Sequence, residues 1–244
     1  MAQQLILDIL PPPAPTLANM VVGENAAVIT AAKTLALGQT LYIWGSPGSG
    51  RSHLLKAAAH HHHGIYLTSD QFGSIQDRLE QDGAMPPCVA IDDTQNLAPD
   101  GLALLFRLYN RWREDASDTR AFRLIVAGHC APLQMQWRED LRTRLGWGMV
   151  YRLMALSDSE KFAALMSHAH ERGMPLSEDV VRWLLVHGSR DTRTLFGWLD
   201  ALDKYALAQH RPLTLPLLKS LLAQRETHLP ESDRPELAPP FEKD

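Results

Sequence analysis

The sequence has few cysteines, no long apolar run and no excess of positive charge. Only two thiols occur among its 244 residues, Cys88 and Cys130, and neither has a neighbour at metal-ligand spacing. This excludes a disulfide framework and indicates reduced thiols in a cytoplasm. No apolar stretch is long enough to cross a bilayer, and no basic region precedes an apolar N-terminal stretch, as it would in a signal peptide. We therefore expect a cytoplasmic protein that does not bind membranes.

The charge balance argues against a protein that binds DNA through its phosphate backbone. The formal net charge is −4 and the pI is about 6.2, whereas proteins of that kind are usually basic. Direct sequence-specific DNA binding is therefore not expected. Apolar residues make up 45% and charged residues 21% of the chain, which is typical of a globular protein. The length suffices for one α/β domain and a smaller helical one.

Proline-rich segments predict the domain limits. Pro11, Pro12, Pro13 and Pro15 indicate an extended spacer near the N-terminus. From residue 227 onward the chain is acidic and proline-rich, which is typical of disorder. We predict a flexible tether over 1–15, a base domain over 16–155, a helical lid over 156–224 and a disordered tail over 225–244.

Short apolar segments alternate with helical ones through the first 155 residues. The predicted strands are TLYIWG, GIYLT, CVAID, FRLIVAG and MVYRL, and the predicted helices lie at 24–37, after residue 52, and at 70–81, 102–112 and 139–145. This order predicts an α/β fold, with a five-stranded parallel sheet flanked by helices. After residue 156 the strand signals stop. Ser157 with Glu160 predicts a capping box, Ser177 and Asp191 are candidate caps of two further helices, and Thr214 precedes a fourth.

The segment GSPGSGRS, residues 45–52, lies between an apolar strand and a helix. Glycines at 45, 48 and 50 allow a tight turn whose N–H groups point at one phosphate, and the helix that follows adds its positive end. This context favours a phosphate-binding P-loop over an ordinary glycine-rich loop, with Ser52 as a Mg²⁺ ligand. The predicted phosphate-site residues are Gly45, Pro47, Gly48, Ser49, Gly50, Arg51, Ser52 and His53.

Arg51 stands where a P-loop usually has lysine. Arginine is a planar fork and lysine a compact point charge, so Arg51 can still bond phosphate oxygens but holds the γ-phosphate less well during transfer. We predict firm nucleotide binding and weak intrinsic hydrolysis.

An Asp-Asp pair follows the third predicted strand. Asp92 suits the water shell of Mg²⁺, and Asp93 could polarise an attacking water. Such pairs also occur as helix caps, but one that follows a P-loop favours the functional interpretation.

Taken together, these motifs resemble those of the Hda family of DnaA-related AAA+ proteins. The resemblance spans about 16–222 and rests on TLANMVVGENAAVITAA, the Arg-Ser end of the loop, the Asp-Asp pair, RLGWG and RTLF. It implies a P-loop AAA+ fold that binds ADP or ATP with Mg²⁺, with Val22 and Gly23 near the adenine base of the nucleotide. It also implies that Arg144 is an arginine finger acting in trans and Arg193 a sensor in the lid. His129 occupies the place of a polar sensor, and its role stays open.

The N-terminal segment QLILDI, residues 4–9, resembles the peptide by which bacterial proteins bind the DNA polymerase III sliding clamp. Gln4 would hydrogen-bond in a pocket while Leu5, Leu7 and Ile9 fill an apolar groove. The alternative is a first β-strand.

The resemblance implies a negative regulator of replication initiation, with the DnaA initiator and the sliding clamp as partners. Held on the clamp, the protein would stimulate hydrolysis of initiator-bound ATP through Arg144. No DNA-reading domain is expected after the lid, and self-association is left open. Two alternatives remain: a helicase-loader-like AAA+ ATPase, or a clamp adaptor whose nucleotide is structural. The His60–His63 run is expected at a solvated helix end, with metal binding as the alternative. The side chains expected in core or interdomain packing are Trp44, Trp147, Trp183 and Trp198.

Overall fold

A computed structural model describes residues 14–81, 83–188 and 192–226. The chain divides into two compact units, Pro15–Ala155 and a helical unit that begins at Leu156. Asp191 and the predicted clamp-binding residues Gln4, Leu5, Leu7 and Ile9 lie outside the described residues, as does the chain after residue 226.

The first unit is built on a five-stranded sheet in which every pair of neighbouring strands is parallel, in the order β2-β3-β4-β1-β5. The strands are β1 Thr40–Trp44, β2 Ile65–Leu67, β3 Cys88–Ile91, β4 Arg123–Gly128 and β5 Met149–Arg152. The prediction of a parallel sheet flanked by helices is confirmed. Continuous apolar runs in β1, β3 and β4 reflect burial on both faces.

Alternate residues of the central strands enter two cores, one on each face of the sheet. Tyr42, Ile91 and Val126 pack in the core that contains α4, whereas Leu41 and Ile43 pack in the core that contains α1 and α2. The helices are α1 Ala26–Thr34, α2 Arg51–His61, α3 Gln76–Glu80, α4 Pro99–Asp115 and α5 Glu139–Leu145.

Three helices of this unit differ in extent from their predictions. The helix predicted over 24–37 begins as the 3-10 turn Gly23–Asn25 and ends at Thr34, and the one predicted over 70–81 is a 3-10 turn followed by the short α3. Conversely, α4 extends beyond 102–112 at both ends. Pro99 occupies its first turn, where a missing N–H costs nothing. At the other end Arg111 donates to Asp115, which supports the last turn.

The second unit is a bundle of α6 Asp158–Glu171, α7 Glu178–His187, α8 Thr192–Gln209 and α9 Leu215–Glu226, with an apolar core of its own. The capping box at α6 is confirmed: Glu160 N–H donates to Ser157 Oγ (3.2 Å), and Ser157 N–H donates to Glu160 Oε2 (2.7 Å). Ser177 precedes α7 as predicted, but its side chain makes no capping bond. No helix of the described segments is long and apolar enough to span a membrane.

Candidate functional site

The glycine-rich segment forms the turn between β1 and α2. Gly48 and Gly50 have φ of +79° and +95°, a region that only glycine adopts without strain. Gly50 is the N-cap of α2. At Gly45 a Cβ would lie 2.4 Å from the carbonyl oxygen of Leu153, so the close approach of two chain segments excludes a side chain there. The backbone thus requires glycine at all three predicted positions.

This loop has the features of an anion cradle. The Oγ of Ser49 is buried and, in the described part of the chain, has no hydrogen-bond partner. It lies inside the loop, 2.8 Å from where a Cβ on Gly45 would be. The first amide groups of α2, beginning at Arg51, have no acceptor within the helix. These free donors at a helix N-terminus fit a phosphate group.

Arg51 makes contacts that the sequence did not predict. Its Nη1 donates to the carbonyl oxygens of Gly45 (2.6 Å) and Gly128 (2.7 Å), and its Nη2 lies 3.3 Å from Asp93 Oδ1. The residue is buried. A planar guanidinium presents several donors at once, which lets it join the ends of β1 and β4 to the acidic pair. A contact between Arg51 and phosphate stays a prediction.

The two aspartates have different environments. Asp92 is fully buried, and it accepts hydrogen bonds from the Tyr66 hydroxyl and the Asp93 N–H, both at 2.9 Å. Asp93 is partly exposed, has φ of +51°, and accepts from Gln95 Nε2 at 2.9 Å as well as from Arg51. Asp92 is therefore a fixed carboxylate, and Asp93 belongs to an ion pair.

Tyr66 is a site residue that the sequence analysis missed. Its hydroxyl bonds Asp92 and also interacts with Ser52, so it lies between the two predicted Mg²⁺ ligands. Burial raises the pKa of Tyr66 well above its usual value, and the negative charge of Asp92 raises it further. The phenol stays protonated and donates. The sequence feature that could have indicated Tyr66 is a hydroxyl-bearing side chain in β2, the strand that pairs with β3.

The N-terminal segment of this unit contacts the phosphate loop. A Cβ on Gly50 would lie 3.7 Å from Met20 Cε, and His53 Nε2 is 3.1 Å from the carbonyl oxygen of Thr16. Val22 is 47% exposed, and the adjacent Gly23 has φ of +47°. Val22 and Gly23, which are predicted to lie near the adenine base, thus follow a segment that packs on the phosphate loop.

The histidines that the sequence singled out have unlike surroundings. His129 is exposed just after β4, and His60, His61 and His63 are exposed around the end of α2. His62 differs from the expectation of a solvated run: it is buried and donates from Nε2 to the carbonyl oxygen of Ala32 at 2.8 Å. No group of three or more His, Cys, Asp or Glu side chains in the described segments is arranged to hold a metal.

Arg144 lies on α5 and contacts α4. Its guanidinium carbon is 4.4 Å from the centre of the Phe106 ring, and Nη1 donates to Asn110 Oδ1. Among the described residues no carboxylate forms an ion pair with it. Phe106 and Asn110 were missed, although their spacing of four places both on one face of a helix.

Two further predictions concern tryptophan and the lid. Trp147 is 65% exposed, so it does not pack in a core, which was one of the two expectations for it. It sits on a turn between two glycines, and the turn lies outside both cores. Arg193 lies in the first turn of α8, and its role as a sensor stays a prediction.

Comparisons with known proteins agree with this geometry. The model of the family described as the lid domain of Hda matches residues 158–222. Domain III of Thermotoga maritima DnaA is 20% identical and superposes with a TM-score of 0.65 over 88% of this chain and 98% of that one. AMPPCP-bound DnaA from Aquifex aeolicus is 21% identical, with a TM-score of 0.62 over 82% and 68% of the two chains. A variant of Thermotoga maritima RuvB is 14% identical, with a TM-score of 0.61 over 86% and 72%.

The parallel sheet, the glycine-rich loop and the helical second unit together form an AAA+ fold. The helical unit is similar to the lid domain of Hda over residues 158–222, and most of the chain shares the fold of DnaA domain III.

Proposed function

We propose that this protein binds ADP or ATP and is a negative regulator of replication initiation. It acts by stimulating hydrolysis of the ATP bound to the DnaA initiator. The placement of Arg144 carries the proposal: a partly buried arginine on α5 that is held by an aromatic ring and an amide. The relation to Hda and DnaA supports the choice of partner.

The nucleotide would lie on the loop between β1 and α2. Its phosphates would meet the backbone of Gly45, Pro47, Gly48, Ser49 and Gly50 and the first turn of α2, including Ser52 and His53. The adenine base would lie near Val22 and Gly23, as the resemblance implies. Arg193 would be the lid residue that senses the nucleotide. The positive φ at Gly48 and Gly50 and the unbonded Ser49 hydroxyl support a phosphate in this position.

Mg²⁺ would be held by Ser52 directly and by Asp92 through water. The two side chains fit this role because both interact with the hydroxyl of Tyr66, which places them close together. A bound Mg²⁺ would neutralise charge on the phosphate oxygens. Asp92 is already oriented by two hydrogen bonds, so it would bind without rearranging.

Contacts in the site support weak hydrolysis by the protein itself. The carboxylate of Asp93 is paired with Arg51 and bonded by Gln95, and a group that orients an attacking water must be free to reach it. Arg51 in turn is bound to two main-chain carbonyl oxygens. These contacts favour an activator of a partner's ATPase over an ATPase in its own right.

Arg144 would act on the partner's nucleotide. An arginine supplied in trans stabilises the charge that develops on the transferred phosphoryl group. A cation that faces a ring and an amide can turn toward a phosphate without breaking an ion pair. Gln4, Leu5, Leu7 and Ile9 would meanwhile hold the protein on the clamp, and so raise the local concentration of Arg144 near the initiator.

The test is hydrolysis of initiator-bound ATP with and without this protein, in the presence of clamp loaded on DNA. Stimulation is expected, and an unchanged rate would refute the proposal. Deleting residues 1–10 and, separately, replacing Arg144 by alanine separates the alternatives. Both changes should abolish stimulation. If only the deletion did so, the protein would be a clamp adaptor, and rapid ATP turnover without initiator would indicate a loader-like ATPase.

A further inference from the structure

An exposed tryptophan lies three residues beyond the proposed arginine finger. Trp147 is 65% exposed and occupies the turn between α5 and β5. Leu133, which precedes α5, is 68% exposed. Single exposed apolar side chains are ordinary on protein surfaces, so exposure by itself assigns no role to either.

The turn that carries Trp147 is fixed by its neighbours. Gly146 N–H donates to the carbonyl oxygens of Arg142 and Thr143, and Trp147 N–H donates to that of Arg144, each at 3.1 Å. Gly148 is pressed against β1, since a Cβ there would lie 2.3 Å from Thr40 Cγ2 and 2.9 Å from the Thr40 carbonyl oxygen. The indole is therefore attached to a constrained backbone, which lowers the conformational entropy that a partner must remove.

The charge beside Trp147 is positive and only partly compensated. Arg138 forms an ion pair with Asp140, but among the described residues Arg142 and Arg144 form none with a carboxylate. Instead Arg142 donates to the Leu133 carbonyl oxygen at 3.4 Å, and Arg144 donates to Asn110. An exposed indole next to cations that lack carboxylate partners fits an occupant that is apolar and anionic at neighbouring points. Tryptophan and arginine are also the residues that most often dominate binding energy at interfaces.

We infer that Trp147 anchors a docking surface, which also includes Arg144, for a protein domain that carries a nucleoside triphosphate. The inference rests on the proposed function and deepens it. Trp147 sets the affinity for the partner, while Arg144 meets the phosphates and sets the rate. The hydrogen bond from Trp147 N–H to the Arg144 carbonyl oxygen fixes the relative position of the two backbones.

Stimulated hydrolysis of initiator-bound ATP, titrated with the full chain, separates the two roles. Trp147→Ala is expected to raise the concentration for half-maximal stimulation by at least about tenfold, with a much smaller change in the rate at saturation. Trp147→Phe should recover most of the affinity. Arg144→Ala should bind the initiator but give no stimulation at any concentration. An unchanged half-maximal concentration for Trp147→Ala, in a variant that melts like the wild type, overturns the inference.

Direct binding distinguishes failure of the inference from failure of the proposed function. Wild-type protein could bind immobilised initiator–ATP without stimulating its hydrolysis, and Trp147→Ala could lose that binding. This result would support the docking surface and refute the role of Arg144 as an arginine finger. If the wild-type protein does not bind the initiator at all, both the docking surface and the proposed function are refuted. Loss of binding to a labelled single-stranded oligonucleotide, with initiator binding intact, would assign Trp147 to nucleic acid and would also overturn the inference.

Discussion

Gly50 is the residue whose backbone most directly shapes the phosphate loop. With φ of +95° at the N-cap of α2, it adopts a conformation that costs other residues roughly 1–2 kcal/mol. A Cβ there would meet nothing closer than 3.7 Å, so strain rather than collision sets the cost. We expect Gly50→Ala to lower the free energy of unfolding by that amount in urea titrations.

Gly73→Ala is the matched control for this substitution. Gly73 also has open space around its would-be Cβ, but it lacks a positive φ. Its replacement should change the free energy of unfolding by less than about 0.5 kcal/mol. Equal effects of the two substitutions would show that the left-handed conformation does not carry the cost.

His62 makes stability depend on pH. Burial lowers its pKa below the usual value, and the hydrogen bond to Ala32 only partly opposes this. The folded state therefore binds a proton less readily than the unfolded state. The neutral ring's contribution is complete above the ordinary histidine pKa of about 6.5 and is lost as pH falls toward the lowered value.

The measurement is urea unfolding at pH 7.5 and 5.5. His62→Gln, whose amide can still donate to Ala32, should lose less stability between the two pH values than the wild type. His60→Gln removes an exposed histidine of the same helix that is not among the groups lowering the pKa of His62, and it should keep the wild-type difference. The account of His62 fails if both variants show the same pH dependence as the wild type.

Residue types in the site could be predicted from sequence, but their contacts could not. The glycines at 48 and 50 were predicted because only glycine suits such a turn. The bonds of Arg51 to Gly45 and Gly128 depend on the adjacency of β1 and β4, and these strands are far apart in the chain. Tyr66 was missed for the same reason, since it meets Asp92 only through the pairing of β2 with β3.

At the scale of elements, capping chemistry distinguishes two helices of the second unit. Ser157 forms both bonds of a capping box at α6, whereas Ser177 precedes α7 without a side-chain cap bond. Because a lost N-cap bond typically costs about 1 kcal/mol, Ser157→Ala should destabilise the helical unit by about that amount. Ser177→Ala should cost no more than a few tenths. Urea unfolding of the full chain, followed by circular dichroism, compares them; equal losses would remove the capping argument.

Element type was better predicted than element extent. Long apolar strands and a capping box are local signals, so β1, β3, β4 and α6 were found. The ends of α4 depend on Pro99 and on the contact of Arg111 with Asp115, which periodicity does not reveal. The order of strands in the sheet follows from tertiary packing, and sequence alone predicts only that neighbouring strands are parallel.

At the scale of the whole molecule, the two units carry complementary parts of the proposed function. The base domain supplies the phosphate loop and Arg144, and the helical unit carries the match to the Hda lid. The motifs predicted an AAA+ fold with a helical lid, and the net charge argued against DNA binding through the phosphate backbone. The sequence could not predict that Trp147 is exposed, because exposure depends on where the turn after α5 meets the sheet.

The most direct measurement is the single-turnover rate constant for hydrolysis of initiator-bound ATP, with clamp on DNA and saturating regulator. The control is Arg138→Ala, which removes an 85% exposed arginine that forms an ion pair with Asp140 and lies 6.0 Å from the centre of the same Phe106 ring. Arg144→Ala should lower the stimulated rate constant by on the order of 10³, while Arg138→Ala should leave it within about twofold. A full stimulated rate with Arg144→Ala would contradict the account.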